Sequence, residues 1–159
     1  MENERKTDRS ADMGMDEHRL SDILLASQIK ATDIYETPPQ IIWIDNSTIA
    51  TLGNFSASTG KAKSKKTFNV SALVAASLAG KQVLNYRAHL PEGKQRILYV
   101  DTEQSRFHCR SVLERILRLA GLPTTTDPEN LDFFCLREYS PSVRIEVINY
   151  ALRQQKGYG

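Results

Sequence analysis

Gly60-Lys61-Ala62-Lys63-Ser64-Lys65-Lys66-Thr67 decides how this chain is read. Before it lies a β-rich stretch, residues 48–55, with Ile49, Leu52 and Phe55; after it comes an apolar run, residues 67–79. A glycine, four residues, then Gly-Lys-Ser/Thr between a strand and a helix is the pattern of a phosphate-binding loop. Here Gly60 is the first glycine, Lys66 the lysine and Thr67 the hydroxyl, while Lys65 stands where glycine is usual. A second register takes Gly60-Lys61 as the glycine-lysine pair. It puts Ala62 at the hydroxyl position and leaves several polar residues before the helix, so the first register is adopted.

In that register Gly60, Lys61, Ala62, Lys63, Ser64, Lys65, Lys66, Thr67 and Phe68 form an anion cradle. Backbone N–H groups of the loop and first helical turn point at the phosphates, and the helix dipole favours negative charge there. Lys66 is expected to neutralise the β- and γ-phosphates as a point charge. The Thr67 hydroxyl is expected to ligate Mg²⁺, which keeps several waters and takes its other ligands from the nucleotide. The expected cofactors are therefore ATP and Mg²⁺. Lys65 is the irregular residue, because glycine tolerates backbone conformations that strain a side-chain residue. The plainer alternative is a basic Ser/Lys loop that merely precedes a helix.

A chain of 159 residues, 40% apolar and 25% charged, supports one domain with a real core. It has no apolar run near the ~20 residues of a membrane span, and its charged start lacks the apolar segment of a secretory signal. Cys109 and Cys135 are its only cysteines, and they suit no disulfide scaffold, so the reducing cytoplasm is the expected compartment. A net charge of +2 does not by itself imply nucleic-acid binding.

Three segments follow. Residues 1–19 carry almost nothing to bury and are expected to be a disordered tail. Residues 20–35 hold Leu20, Ile23, Leu24 and Leu25 at helical spacing, ended by Pro38-Pro39. From residue 36 onward Ile41-Ile42-Trp43-Ile44 predicts a strand and Asp45-Asn46-Ser47 a turn. Residues 48–55 predict a further strand, and 67–79 a helix apolar on nearly every side and hence buried, ended by Gly80. Residues 81–96 read as a polar connection with a hairpin-like excursion. Ile97-Leu98-Tyr99-Val100 predicts a core strand. Cys109, Val112, Leu113, Ile116, Leu117 and Ala120 form the stripe of a helix that Gly121 and Pro123 end. Residues 131–136 predict a third core strand. Ser140-Pro141 starts a last helix, with Ile145, Ile148, Ala151 and Leu152 as its buried face. The alternation from residue 48 onward predicts an α/β fold, a parallel sheet flanked by helices, with ligands beyond the carboxyl ends of the strands.

The Ile97 strand runs into Asp101-Thr102-Glu103. On a strand, carboxylates two residues apart share a face. Glu103 could polarise an attacking water, or Asp101 could be a magnesium-associated acid. The plainer alternative is a pair of solvated acids, or Asp101 capping the following turn. Pro38-Pro39, Trp43-Ile44-Asp45, Gly60 to Thr67 and Ile97-Leu98-Tyr99-Val100-Asp101-Thr102-Glu103-Gln104, in that order, resemble the RecA-like P-loop ATPases. Among these the sequence is similar to AAA-type proteins akin to hexameric plasmid replicative helicases. It resembles in particular the ATPase-like proteins of Bacteroides mobilizable transposons. The resemblance spans residues 36–159 and implies a partial RecA-like P-loop NTPase domain, the front portion of such an ATPase. It implies Glu103 as the water-activating base, DNA replication or mobilisation of a mobile element as the process, and a nucleotide, DNA and a hexameric homo-oligomer as partners, with no membrane. The family's Walker B aspartate lies on a later strand, to which Gly157-Tyr158-Gly159 would lead. Nucleotide binding is then expected without it, and efficient hydrolysis is left open.

Two rivals are carried forward. One is a catalytically inactive remnant or interaction module. The other is a nucleotide-kinase-like P-loop enzyme with Asp101 in the Walker B role, which needs the Ile97 strand beside the loop strand. Arg106, His108, Arg110, Arg115 and Arg118 form a basic cluster better read as a solvated helix face than as a nucleic-acid site. Neither His89 nor His108 has metal-ligand partners at useful spacing. Cys109 and Trp43 read as packing residues, the latter also open to a place near a nucleobase.

Overall fold

The computed structural model describes residues 16–61 and 64–158, so most of the expected tail over residues 1–19, and the readings of Ala62, Lys63 and Gly159, lie outside the described residues, while residues 17–19 of that stretch are helical. The chain divides into two compact units, Met1–Thr37 and Pro38–Gly159. In the first, α1 (Glu17–Ser27) starts earlier and ends sooner than the apolar spacing predicts, because Asp16 caps it through the amide of His18. None of its residues is buried, and Leu24 and Leu25 lie in the open.

The second unit opens with β1 (Gln40–Ile44) and β2 (Ser47–Thr51), an antiparallel hairpin turning at Asp45, whose φ of 50° is one that Asp tolerates. The expected strand over 48–55 is thus cut at Thr51. Asn54 folds back on Thr51 through its amide and side chain, Gly53 takes a φ of +80°, and Phe55 is left in solvent. β3 (Tyr86–Ala88) lies in the stretch read as a polar connection and pairs antiparallel with the other edge of β1. Its entry is a tight turn in which Val83 and Tyr86 exchange main-chain bonds. Ile42, Tyr86 and Ala88 face the core.

α2 (Lys66–Ala79) follows the loop and buries Ser71, Ala72, Val74, Ala75, Ala76 and Leu78. It packs on α3 (Arg106–Ala120) and on β3, and touches β4 (Ile97–Asp101). The small residues Ala72, Ala75 and Ala76 leave room for Val112, Ile116 and Leu117 of α3, the centre of the core. α3 ends in a Schellman arrangement: the Gly121 amide donates to Arg118 O and the Leu122 amide to Leu117 O. β4 and β5 (Leu131–Cys135) pair in parallel, joined by α3 as the alternating pattern predicts. The sheets are two, however, with orders β2-β1-β3 and β4-β5, rather than one parallel sheet. The hairpin made by the turn at Asp45 commits β2 to β1, which keeps it out of the parallel pairing. The fold is therefore mixed α/β.

α4 (Pro141–Gln154) begins with Pro at its first turn, as expected. Its half-buried stripe is Arg144, Val147, Ile148 and Ala151, whereas Ile145 and Leu152 are exposed. The stripe is rotated because Arg144 is drawn inward, donating to the carbonyls of Leu136 and Arg137. Beyond α4 the chain returns to β4: the Arg96 amide donates to Gly157 O, and Tyr158 forms a parallel bridge to Arg96 on the edge away from β5. The Arg96 guanidinium makes two bonds to Asp132, of 2.7 and 3.0 Å, and Tyr158 Oη donates to the same carboxylate. Among the described residues no helix is long and apolar enough to cross a membrane.

Ile116 is fully buried. Ile116→Ala should lower stability by about 3 kcal/mol in urea unfolding, the cost of a large-to-small change in a packed core. The bonds from Arg96, reinforced by Tyr158, hold the Asp132 carboxyl below its usual range despite the opposing effect of its partial burial. A depressed carboxylate pKa stabilises the fold above the unfolded value and ceases to do so as pH falls through the folded one. Stability measured downward from pH 5 should therefore decline less steeply in Asp132→Asn than in the unaltered protein.

Candidate functional site

The loop closes on itself through Lys66. Its ammonium donates to the carbonyls of Gly60, at 2.8 Å, and Lys61, at 3.1 Å. The Ser64 amide adds a turn by donating to Lys61 O at 3.2 Å. A Cβ on Gly60 would stand 2.6 Å from Ser64 Oγ, a contact that a turn of the serine hydroxyl relieves. Lys65 sits at φ 60° and ψ 23°, the left-handed region that its glycine-like position in the motif foreshadows. For a lysine that conformation costs roughly 1–2 kcal/mol.

Helix α2 starts directly after Lys65. The first intrahelical amide bond is Asn69 N to Lys65 O, which leaves the amides of Lys66, Thr67 and Phe68 ahead of it without an intrahelical acceptor. Thr67 uses its carbonyl to hold Ser71 Oγ at 2.7 Å, which fixes the first turn without using its own hydroxyl.

Across an open cavity of about 270 Å³ these groups meet the end of β4. Lys66 and Thr67 line one side, and Tyr99, Asp101, Glu103 and Gln104 the other. The two motifs, far apart in sequence, thus share one cavity. Their carboxylates do different things. Asp101 is almost fully buried, and Oδ1 accepts the amides of Glu103 at 2.9 Å and Gln104 at 2.8 Å. Its Oδ2 accepts Gln104 Nε2 at 3.1 Å. Asp101 is the cap of the turn, the plainer of the sequence alternatives. β4 ends at Asp101, so the same-face rule for strands does not extend to Glu103. Glu103 is exposed at the cavity rim on the turn that Asp101 holds.

Gln104 is the residue that sequence reasoning left without a role. Its side chain completes the cap, and its carbonyl accepts the thiols of Cys135 at 3.4 Å and Cys109 at 3.7 Å. Burial pushes the Cys109 thiol up to about 12, which keeps it a core residue and not a nucleophile. The Arg96–Asp132 pair also went unread, although an aspartate inside the apolar run Leu131-Asp132-Phe133-Phe134 was its signal.

The basic cluster is partly neutralised within α3. Glu114 takes Arg110 at 3.0 Å and Arg118 at 3.4 Å, and Arg110 also reaches Thr124 O. His108 Nδ1 bonds Ser105 Oγ at 2.9 Å, and among the described residues no His, Cys, Asp and Glu group could hold a metal ion. Trp43 lies on β1 under the Arg87 guanidinium, 4.7 Å from the ring centre, and is not among the cavity residues. The kinase-like arrangement required β4 beside the strand before the loop. Among the described residues β4 pairs with β5 and meets Tyr158 on its other edge, and β2 belongs to the other sheet.

Comparison with known proteins returns no match: no family model fits the chain, and no curated protein and no solved structure is significantly similar to it.

Lys65→Gly should relieve the left-handed strain. The urea midpoint is expected to rise by the equivalent of about 0.5–1 kcal/mol with an unchanged slope.

Proposed function

We propose that this chain binds a nucleoside triphosphate, ATP with Mg²⁺, in the cavity between the loop and the end of β4. The observation that carries the reading is the Lys66 ammonium, bound to the carbonyls of Gly60 and Lys61 directly before a helix whose first amides lack intrahelical acceptors. Such amides and a helix N-terminus favour an anion, and the ammonium keeps a third N–H for a phosphate oxygen. Thr67, which lines the same cavity, is the residue whose hydroxyl would hold the metal. Glu103, exposed on a turn fixed by Asp101, suits the work of orienting a water. Association with DNA replication or with mobilisation of a mobile element, in the cytoplasm and as a hexamer, is the setting that the resemblance to RecA-like ATPases suggests.

A second reading has its own support. Asp101 is committed to three hydrogen bonds within the turn, so the cavity offers Glu103 as its only other carboxylate among the described residues. That favours a module that binds nucleotide without efficient turnover, and steady ATP hydrolysis that Glu103→Gln abolishes would reject it.

Titration of a fluorescent ATP analogue should give at least tenfold weaker binding to Lys66→Ala than to the unaltered protein. Equal affinity for both would reject the assignment.

A further inference from the structure

We infer that the cavity walled by Phe68 of α2 and Arg115 of α3, with Lys65 at its rim, receives the base of the bound nucleotide. The inference rests on the nucleotide reading above and assigns the part of the ligand that the loop does not reach. The cavity measures about 410 Å³, and among the described residues Lys65, Phe68 and Arg115 line it.

Phe68 occupies the first turn of a helix whose remaining apolar residues are largely buried, yet it is 39% exposed. Its own amide is one of those without an intrahelical acceptor. A phosphate on that amide places the attached sugar and base over the side of α2 that carries the Phe68 ring.

Arg115 lines the same cavity from α3. It is half-buried, and among the described residues it makes no ion pair or side-chain hydrogen bond, while Arg110 and Arg118 on the same helix both pair with Glu114. A partly desolvated guanidinium without a partner is costly, and its flat face stacks well on a π-system. It lies close enough to Tyr99 to favour the ionised phenol, although burial dominates and raises the Tyr99 hydroxyl overall. Tyr99 also lines the phosphate cavity. Lys65 and Phe68 flank Lys66 and Thr67 of the phosphate cavity along the chain, so the two cavities meet at the start of α2. The wall of the cavity is almost wholly carbon, with the Phe68 ring and the stem of Arg115 in it, an apolar slot that a planar base fills and over which the Arg115 guanidinium can turn to stack.

The experiment titrates ATP and inorganic tripolyphosphate, each with Mg²⁺, into the full chain and into Phe68→Leu, Phe68→Tyr, Arg115→Gln and Lys66→Ala. The unaltered protein should bind ATP about tenfold more tightly than tripolyphosphate, the margin expected of a stacked base. Arg115→Gln should lose most of that margin while tripolyphosphate affinity stays within about twofold, which also certifies that the loop is folded, and Phe68→Leu should weaken ATP binding by more than it weakens tripolyphosphate binding. Phe68→Tyr should keep the margin, and Lys66→Ala should weaken both ligands. Equal affinity of the unaltered protein for the two ligands, or variants that affect both ligands alike, would overturn the base site and leave the triphosphate site standing. Binding of neither ligand by the unaltered protein would overturn both.

Discussion

The bonds from the Lys66 ammonium to Gly60 O and Lys61 O are the constraint on which the site depends. They tie the loop to the first residue of α2, so the position of the helix sets the position of the loop. α2 in turn is fixed by packing. Its alanines let α3 come close, and α3 is the crossover that carries the chain from β4 to β5. The same crossover begins just after the turn holding Glu103. One apolar contact between two helices therefore sets the spacing of the cationic and anionic walls of the cavity.

The site combines local strain with local satisfaction. Lys65 holds a backbone conformation that L-residues avoid, and this lets the chain turn sharply into α2. Asp101 does the reverse, accepting from two amides and an amide side chain so that a tight turn at a strand end leaves its donors satisfied. The stored cost lies on the loop side of the cavity and the rigid support on the carboxylate side.

What was legible in the sequence follows from the range of the interactions involved. The apolar stripe of α3, its glycine stop and the parallel Ile97 strand depend on periodicity and termination signals, and each stands within a residue or two of its expected place. Lys66 and Thr67 line one cavity with Asp101 and Glu103 at the carboxyl end of β4, a meeting that the order of the two motifs on strand, loop and helix made legible. The pairing of strands was not legible. Ile41 to Ile44 carries no mark of its partners, and β3 hides in a polar stretch because only Tyr86 and Ala88 face inward. The early end of β2 depends on a side-chain bond between Asn54 and Thr51 that competes with the ladder. The exposed side of α4 was misassigned because Arg144, a charged residue, takes an inward position for the carbonyls it can reach.

The sole tryptophan of the chain is Trp43. Its indole nitrogen donates to Gln40 Oε1, which also accepts from Thr48, and a guanidinium covers its face. Tryptophan emission, excited beyond the absorption of the six tyrosines, is thus a gauge of the three-stranded antiparallel sheet, and a ligand that shifted it would reveal mechanical coupling between that sheet and the cavity beside α2.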